Sequence, residues 1–293
     1  MRTQPCRRVG IAGAGTMGRG IAQVFAQRGW QVVLSDPVQS QLSSAMDAIS
    51  RGLDREVGKA RLTHGRKMEA LGRVEPASDL SPMASVELAV EAVSESLPVK
   101  REVFGQLHRI CRPGAILASN TSSISIARLA VASGRPGETV GMHFMNPVPV
   151  MELVEVVRGP ETSGATLSAV HRIVKGLGKT PVEVSDSPGF VSNRVLMPMI
   201  NEAVFCLHEG VGTAENVDAI MKLGMNHPMG PLALADLIGL DVCLDIMETL
   251  FDGFRDAKYR PCPLLKSMVA AGNLGRKTGR GFYRYGRRVP VDS

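Results

Sequence analysis

The chain has 293 residues, enough for two domains of ordinary size, and its 44% hydrophobic and 21% charged content excludes a disordered or fibrous protein. A formal charge of +6 suits an anionic partner, but with 4% aromatic residues and no dense basic helix or reading motif, nucleic acid is not expected. No run approaches the roughly 18 apolar residues of a membrane span, residues 1–8 hold no apolar signal core, and Cys6, Cys111, Cys206, Cys243 and Cys262 lack C-x-x-C pairing or histidine partners; the expectation is a cytoplasmic protein with no membrane contact, disulfide framework or metal.

Residues 9–12 form a short apolar run that enters Gly13-Ala14-Gly15-Thr16-Met17-Gly18, and residues 17–28 carry apolar positions at helical spacing. The predicted order is strand, glycine turn, helix. Gly29 stops that helix, 31–35 is a second strand rich in valine, and Asp36 stands at its end. Residues 38–71 read as two helices, with a charged stretch from 51 to 67 expected to stand away from the sheet. Further strands are predicted at 88–92, 115–119, 139–144, 151–157 and 181–185, with helices at 98–111 and 165–176. Such alternation specifies a parallel, doubly wound sheet, with mixed strands at its far edge. After Ser187-Pro188-Gly189-Phe190 the pattern is helical only, at 190–209, 214–223, 231–251 and 261–271. The expected architecture is an α/β Rossmann-type dinucleotide-binding domain over 1–186, with the helical insertion near 38–71, followed by an all-α C-terminal domain over 187–293.

A lone G-x-G-x-x-G is a weak signal, because the pattern recurs by chance in loops. Here it lies between a strand and a helix, which is the context that gives it meaning. Gly13 allows the tight turn, Gly15 lets the backbone approach a pyrophosphate, and Gly18 permits close helix packing, with the helix N-terminus supplying positive potential. Asp36 is placed to accept the adenosine ribose 2′-hydroxyl and to repel a 2′-phosphate, so NAD is expected as the cofactor in preference to NADP.

A second group of residues collects at the predicted strand ends, where open α/β sheets bind their ligands. Glu95 follows the strand at 88–92 and Lys100 lies one turn into the next helix; by themselves they read as an exposed acid and an exposed base on a solvated face, a reading that their place at the crevice shifts only modestly. Ser119-Asn120-Thr121-Ser122-Ser123 follows a strand and precedes a helix, so one hydroxyl is expected to cap that helix while others face a ligand. His143 ends the strand at 139–144, just before Asn146-Pro147-Val148-Pro149, whose prolines stop the strand. Period-two geometry puts Glu155 on one face with Leu153 and Val157, hence buried, and a buried carboxylate requires a partner. A nearby imidazole would provide one. Asn193 falls on the first turn of the long helix after 187–190; alone it reads as a cap or turn residue, or, with the helix starting at the domain junction, as a donor facing the cleft. His64, His108, His171, His208 and His227 have no ligand spacing, and the 15 methionines fall mostly at helical spacing as packing material.

Taken together, the glycine loop, S-N-T-S-S at 119–123, G-M-H-F-M-N-P-V-P at 141–149, S-P-G-F-V-S-N-R at 187–194, N-H-P-M-G-P at 226–231 and G-R-K-T-G-R-G-F-Y at 275–283 resemble the L-3-hydroxyacyl-CoA dehydrogenase family. The resemblance covers almost the whole chain, and it is greatest to bacterial single-function 3-hydroxybutyryl-CoA dehydrogenases. It implies that His143 is the catalytic base and Glu155 its partner, with Ser122 and Asn193 as substrate contacts. It also implies cofactor contacts at the glycine loop, Asp36, Glu95, Lys100, Ser122, Asn146 and Lys277, and a coenzyme A phosphate contact at Lys59. The chain departs from the family at Gly52, where a serine is common, and at Ser96, often asparagine. Membership of this family would mean an acyl-coenzyme A substrate oxidised at its 3-hydroxyl, and a homodimer formed through the C-terminal domain. Rival readings are a dehydrogenase of a free sugar acid such as L-gulonate, one acting on a 3-hydroxy-dicarboxyl-CoA, and a non-catalytic structural protein on the same scaffold.

Overall fold

A computed structural model describes residues 7–286; Cys6, and nearly all of the 1–8 stretch that lacks a signal core, lie outside the described residues. The chain divides into two compact units between Ser187 and Pro188. In the first, β1 (Arg8–Ala12), α1 (Thr16–Gln27), β2 (Gln31–Ser35), α2 (Gln39–Gly58), α3 (His64–Gly72), β3 (Val74–Ala77) and β4 (Leu88–Glu91) are followed by α4 (Leu97–Ile110), β5 (Ile116–Ser119), α5 (Ile126–Ser133), β6 (Thr139–Phe144), β7 (Leu153–Arg158), α6 (Gly164–Gly176) and β8 (Thr180–Ser185). The strands make one sheet in the order β3-β2-β1-β4-β5-β6-β7-β8. Pairing is parallel from β3 through β6; β7 then runs antiparallel to β6, and β8 parallel to β7.

The central strands are apolar on both faces because helices cover both. Val9, Ile11, Val32, Leu34, Leu88 and Val90 pack on the side of α1, α2 and α6, while Ala12, Val33, Ala89 and Leu117 pack on the side of α4 and α5. β3 is absent from the sequence-based expectation because Pro76 interrupts its run. Proline is tolerated here since β3 is an edge strand. The insertion also departs from expectation. It does not stand off: Leu42, Ala45, Ile49 and Leu53 of α2 are buried in the same cluster as Ile21 and Phe25 of α1, the charged residues of α2 lie on its outer face, and Lys67 of α3 is buried against Asp54 at 2.6 Å.

The second unit contains α7 (Ser192–His208), α8 (Ala214–Gly224), α9 (Pro231–Ile238), α10 (Leu240–Phe254) and α11 (Pro263–Ala270), around a core that includes Ile200, Val204, Leu232, Cys243, Met247, Leu250 and Leu265. α7 starts later than position 190 because Gly189 and Phe190 both take positive φ, 71° and 51°. The single helix expected over 231–251 is two helices. Gly239, at φ 108°, turns the chain between α9 and α10, and an added side chain there would meet the Asp241 carboxylate and the Lys277 ammonium. Two buried aspartates close this unit: Asp236 accepts from the amides of Phe282 and Tyr283, each at 3.0 Å, and Asp218 from those of Leu232 and Ala233 at 2.8 and 2.9 Å. No helix among the described residues is long and apolar enough to cross a membrane. Cys111, Cys206, Cys243 and Cys262 are free thiols.

Candidate active site

The glycine turn joins β1 to α1. Gly13 has φ 105°, and a Cβ there would sit 2.6 Å from the Ala92 carbonyl; one on Gly18 would sit 1.8 Å from the Gly13 carbonyl. Only glycine allows the helix to start this close to the sheet. By contrast a Cβ on Gly15 would meet nothing, and Gly15 and Thr16 are exposed where Ala14 and Gly18 are buried and Met17 is half-buried. The loop thus leaves an open side at its second glycine, the side from which backbone N–H groups take a pyrophosphate, and this cradle fits a dinucleotide. Asp36, at the end of β2, is held in place from two directions. Its Oδ2 accepts from the Ala14 amide and its Oδ1 from the Val38 amide, both at 2.9 Å, which fixes the carboxylate beside the loop.

The reading of Glu95 and Lys100 as a solvated pair fails at Lys100, which is buried, while the Glu95 side chain stays 38% exposed. Lys100 is 1% exposed, and its ammonium donates to Glu91 Oε1 at 2.8 Å, lies 3.1 Å from Glu95 Oε2 and reaches the Val93 carbonyl at 3.4 Å. Glu95 in turn gathers the serine loop. Its Oε1 accepts from Thr121 Oγ1 at 2.5 Å, from Ser122 N and Oγ at 2.9 and 3.2 Å, and from Ser123 N and Oγ at 3.2 and 3.1 Å. Burial works to raise the Glu95 carboxyl, but the Lys100 charge and these hydrogen bonds hold it below the ordinary carboxylate value. None of these hydroxyls caps α5. That task falls to Asp186, whose Oδ2 accepts from Ala127 N at 2.9 Å and Ser125 Oγ at 2.7 Å across 59 and 61 residues of sequence.

His143 and Glu155 are register partners on β6 and β7, so the antiparallel pairing itself sets their side chains together on one face. His143 Nδ1 donates to Glu155 Oε2 at 2.7 Å, with the histidine 8% and the glutamate 2% exposed. A carboxylate can only accept, so it assigns a proton to Nδ1, and Nε2 is then the nitrogen that can take up a further one. The connection between the two strands is pinned from beneath. The buried Lys179 donates to the carbonyls of Val148 at 2.6 Å and Met151 at 2.5 Å, and Asn120 Oδ1 accepts from Phe144 N at 3.0 Å, which ties the serine loop to the end of the histidine strand. Asn146 is exposed in this connection and is joined to Pro147 by a cis peptide bond.

Lys59, Asn193 and Lys277 are the remaining expected contacts. Lys59 is exposed at the C-terminal end of α2. Asn193 is in the first turn of α7, 9% exposed, its amide donating to the Gly189 carbonyl at 3.2 Å. Lys277, in the helical unit, pairs with Asp241 beside Gly239. Glu91 was missed by sequence reasoning, although a signal was present. It is a charge inside an apolar strand covered on both faces, which demands a buried partner. Among the described residues no cluster of ligating side chains is arranged for a metal ion.

A doubly wound sheet, a glycine turn backed by an acid at the end of β2, and an imidazole held by a carboxylate at the strand ends define a nicotinamide-dependent dehydrogenase. Similarity to known proteins specifies which kind. The model of the 3-hydroxyacyl-CoA dehydrogenase NAD binding domain matches residues 8–187, and that of the 3-hydroxyacyl-CoA dehydrogenase C-terminal domain matches residues 189–285. The chain belongs to the 3-hydroxyacyl-CoA dehydrogenase family. It is 55% identical over 276 residues to a probable 3-hydroxybutyryl-CoA dehydrogenase of Deinococcus radiodurans, covering 94% of this chain and 99% of that one. It is 52% identical over 285 residues to a 3-hydroxybutyryl-CoA dehydrogenase of Bradyrhizobium diazoefficiens, covering 97% of each. The crystal structure of (S)-3-hydroxybutyryl-CoA dehydrogenase from Ralstonia eutropha superposes with a TM-score of 0.93 at 48% identity, covering 96% of this chain and all of that one.

Proposed function

We propose that this enzyme oxidises the 3-hydroxyl of a short L-3-hydroxyacyl-CoA, such as 3-hydroxybutyryl-CoA, to the 3-ketoacyl-CoA, with NAD as cofactor and His143 as general base. The observation that carries the reading is the buried hydrogen bond of 2.7 Å between His143 Nδ1 and Glu155. It leaves Nε2 as the basic atom, and removing the hydroxyl proton there makes the developing alkoxide a better donor of its C3 hydrogen. NAD, when bound, supplies the acceptor for that hydrogen as hydride. Glu155 stabilises the imidazolium that forms. Ser122 and Asn193 hold the substrate oxygen. The glycine loop and Asp36 hold the adenosine and pyrophosphate, while Glu95, with Lys100 behind it, Asn146 and Lys277 serve the rest of the cofactor. The exposed Val211, Ile220, Leu223 and Met225 of the helical unit support a homodimer formed through it.

The test is steady-state turnover. Acetoacetyl-CoA with NADH should be reduced, and L-gulonate with NAD should show negligible oxidation. Activity on L-gulonate with none on acetoacetyl-CoA would replace this reading with the sugar-acid one; no turnover of either would favour a structural protein.

Lys59 should serve the coenzyme A moiety without serving the chemistry, since an exposed cation on a remote phosphate adds uniform binding. Lys59→Ala should raise KM for acetoacetyl-CoA about two- to fivefold at low salt, the range of a single exposed charge contact, and leave kcat within about twofold. A KM unaltered by both the substitution and added salt would remove Lys59 from the site.

A further inference from the structure

We infer that Glu91 is a positioning residue for this reaction, organising through Lys100 and Ser119 the carboxylate and hydroxyls that meet cofactor and substrate. The inference rests on the function proposed for His143 and the glycine loop. Glu91 ends β4 and is fully buried, 0% exposed. In the sheet register it stands between Ala12, the last residue before the glycine turn, and Ser119, the first residue of the serine loop. Its neighbour Ala92 donates to the Ala12 carbonyl at 2.7 Å, and its own carbonyl accepts from Asn120 N at 2.8 Å. The two loops that flank the crevice are therefore both tied to this strand end.

The side chain extends the tie. Glu91 Oε1 accepts from Lys100 Nζ and from Val93 N, both at 2.8 Å, and Oε2 accepts from Ser119 Oγ at 2.6 Å. Ser119 Oγ also accepts from Thr121 N at 3.1 Å, which starts the turn carrying Ser122 and Ser123. Lys100 then has a carboxylate on either side, and the far one is Glu95, which gathers Thr121, Ser122 and Ser123. An ammonium has three N–H groups, and three protein acceptors surround this one, so its role is to place Glu95 rather than to reach out itself.

Stability does not account for such a group. A buried ion pair is often no better than apolar residues of the same volume, because desolvation offsets the Coulombic gain. Burial accordingly pushes the Glu91 carboxyl above its ordinary value, against the charge of Lys100 and the hydrogen bonds of Lys100, Ser119 and Val93. What the arrangement supplies is direction. With Glu91 holding one side of Lys100, the ammonium attracts Glu95 without drawing it off the serine loop. If Glu91 were uncharged, Glu95 would be the sole counter-charge and would move toward Lys100, leaving the donors of 121–123 unaligned.

Glu91→Gln retains the shape and removes the charge. With the variant shown folded by circular dichroism, its dissociation constant for NAD, read by tryptophan fluorescence or calorimetry, should rise about tenfold, and kcat for acetoacetyl-CoA should fall about tenfold, as expected for a displaced charged hydrogen-bonding group. KM for acetoacetyl-CoA should stay within about twofold. A merely structural role would reduce the active fraction, lowering apparent kcat while leaving the NAD dissociation constant of the folded protein unchanged, and that result would overturn the inference. Should Glu91→Gln not fold, Ser119→Ala decides the question. It removes one support of Glu91 and of the loop, and should raise the NAD dissociation constant about threefold; an unchanged constant and kcat would overturn the proposal. If wild-type protein binds NAD but does not reduce acetoacetyl-CoA, the functional reading fails instead, and the NAD measurement separates the two.

Discussion

Glu155→Gln should slow 3-hydroxybutyryl-CoA oxidation by about 10²- to 10⁴-fold, the range over which a positioned general acid–base group contributes. The glutamine is isosteric and still reaches His143 from β7, since the two residues are register partners. It removes the negative charge. The imidazolium formed as His143 takes the hydroxyl proton then loses the Glu155 charge in a site where His143 is 8% and residue 155 only 2% exposed, with little water to replace it. An amide can also turn its NH2 toward Nδ1, which would reverse the ring's proton and leave Nε2 protonated and useless as a base. NAD binding should be almost unchanged, because Asp36 and the glycine loop lie on other strands. His143 and Glu155 act as a unit, so the double variant His143→Ala/Glu155→Gln should lose little beyond His143→Ala alone. Fully additive losses, or near-normal turnover in Glu155→Gln, would mean that Glu155 serves the fold and not the base.

NADP should be used at least about 100-fold less efficiently than NAD in kcat/KM, because placing like charges together costs several kcal/mol. The group responsible is the Asp36 carboxylate, which the amides of Ala14 and Val38 hold at 2.9 Å and so prevent from swinging away from a 2′-phosphate. The next residues, Pro37-Val38-Gln39-Ser40-Gln41, include no arginine to receive one. Asp36→Ala should lower NAD efficiency and narrow the NAD:NADP ratio by about tenfold or more, since both the ribose acceptor and the repulsion are lost. Equal efficiencies with the two cofactors in the unmodified protein would show that the end of β2 does not contact the ribose.

Several parts of the site were legible in the chain because their physical cause is local. Gly13 and Gly18 are required by a turn that no side chain could enter, and the apolar runs of β1 and β2 are those of strands covered on both faces. Period-two geometry similarly assigned Glu155 to a buried position. It did not name the partner. That came from the antiparallel pairing of β6 with β7, whose register places residue 155 opposite residue 143.

Other features depend on what a segment packs against. Helical spacing continues through Gly239, yet the backbone there is at φ 108° and the helix is broken. Pro76 hid β3, which exists only because an edge position leaves its missing N–H harmless. The charged faces of α2 and α3 read as a protrusion, although a thin apolar stripe was sufficient to seat α2 on α1. Most consequential is Lys100. Its identity and its place near a helix start suit a solvated residue, and only the approach of Glu91 from β4 and Glu95 from the next loop makes it a buried cation. The chain alone therefore determined the order of elements, the cofactor loop and the residues capable of the chemistry, because torsional and periodic constraints act between near neighbours. The tertiary structure decided which charges are paired and which hydroxyls are held, because those energies exist only when residues distant in sequence come within hydrogen-bonding distance.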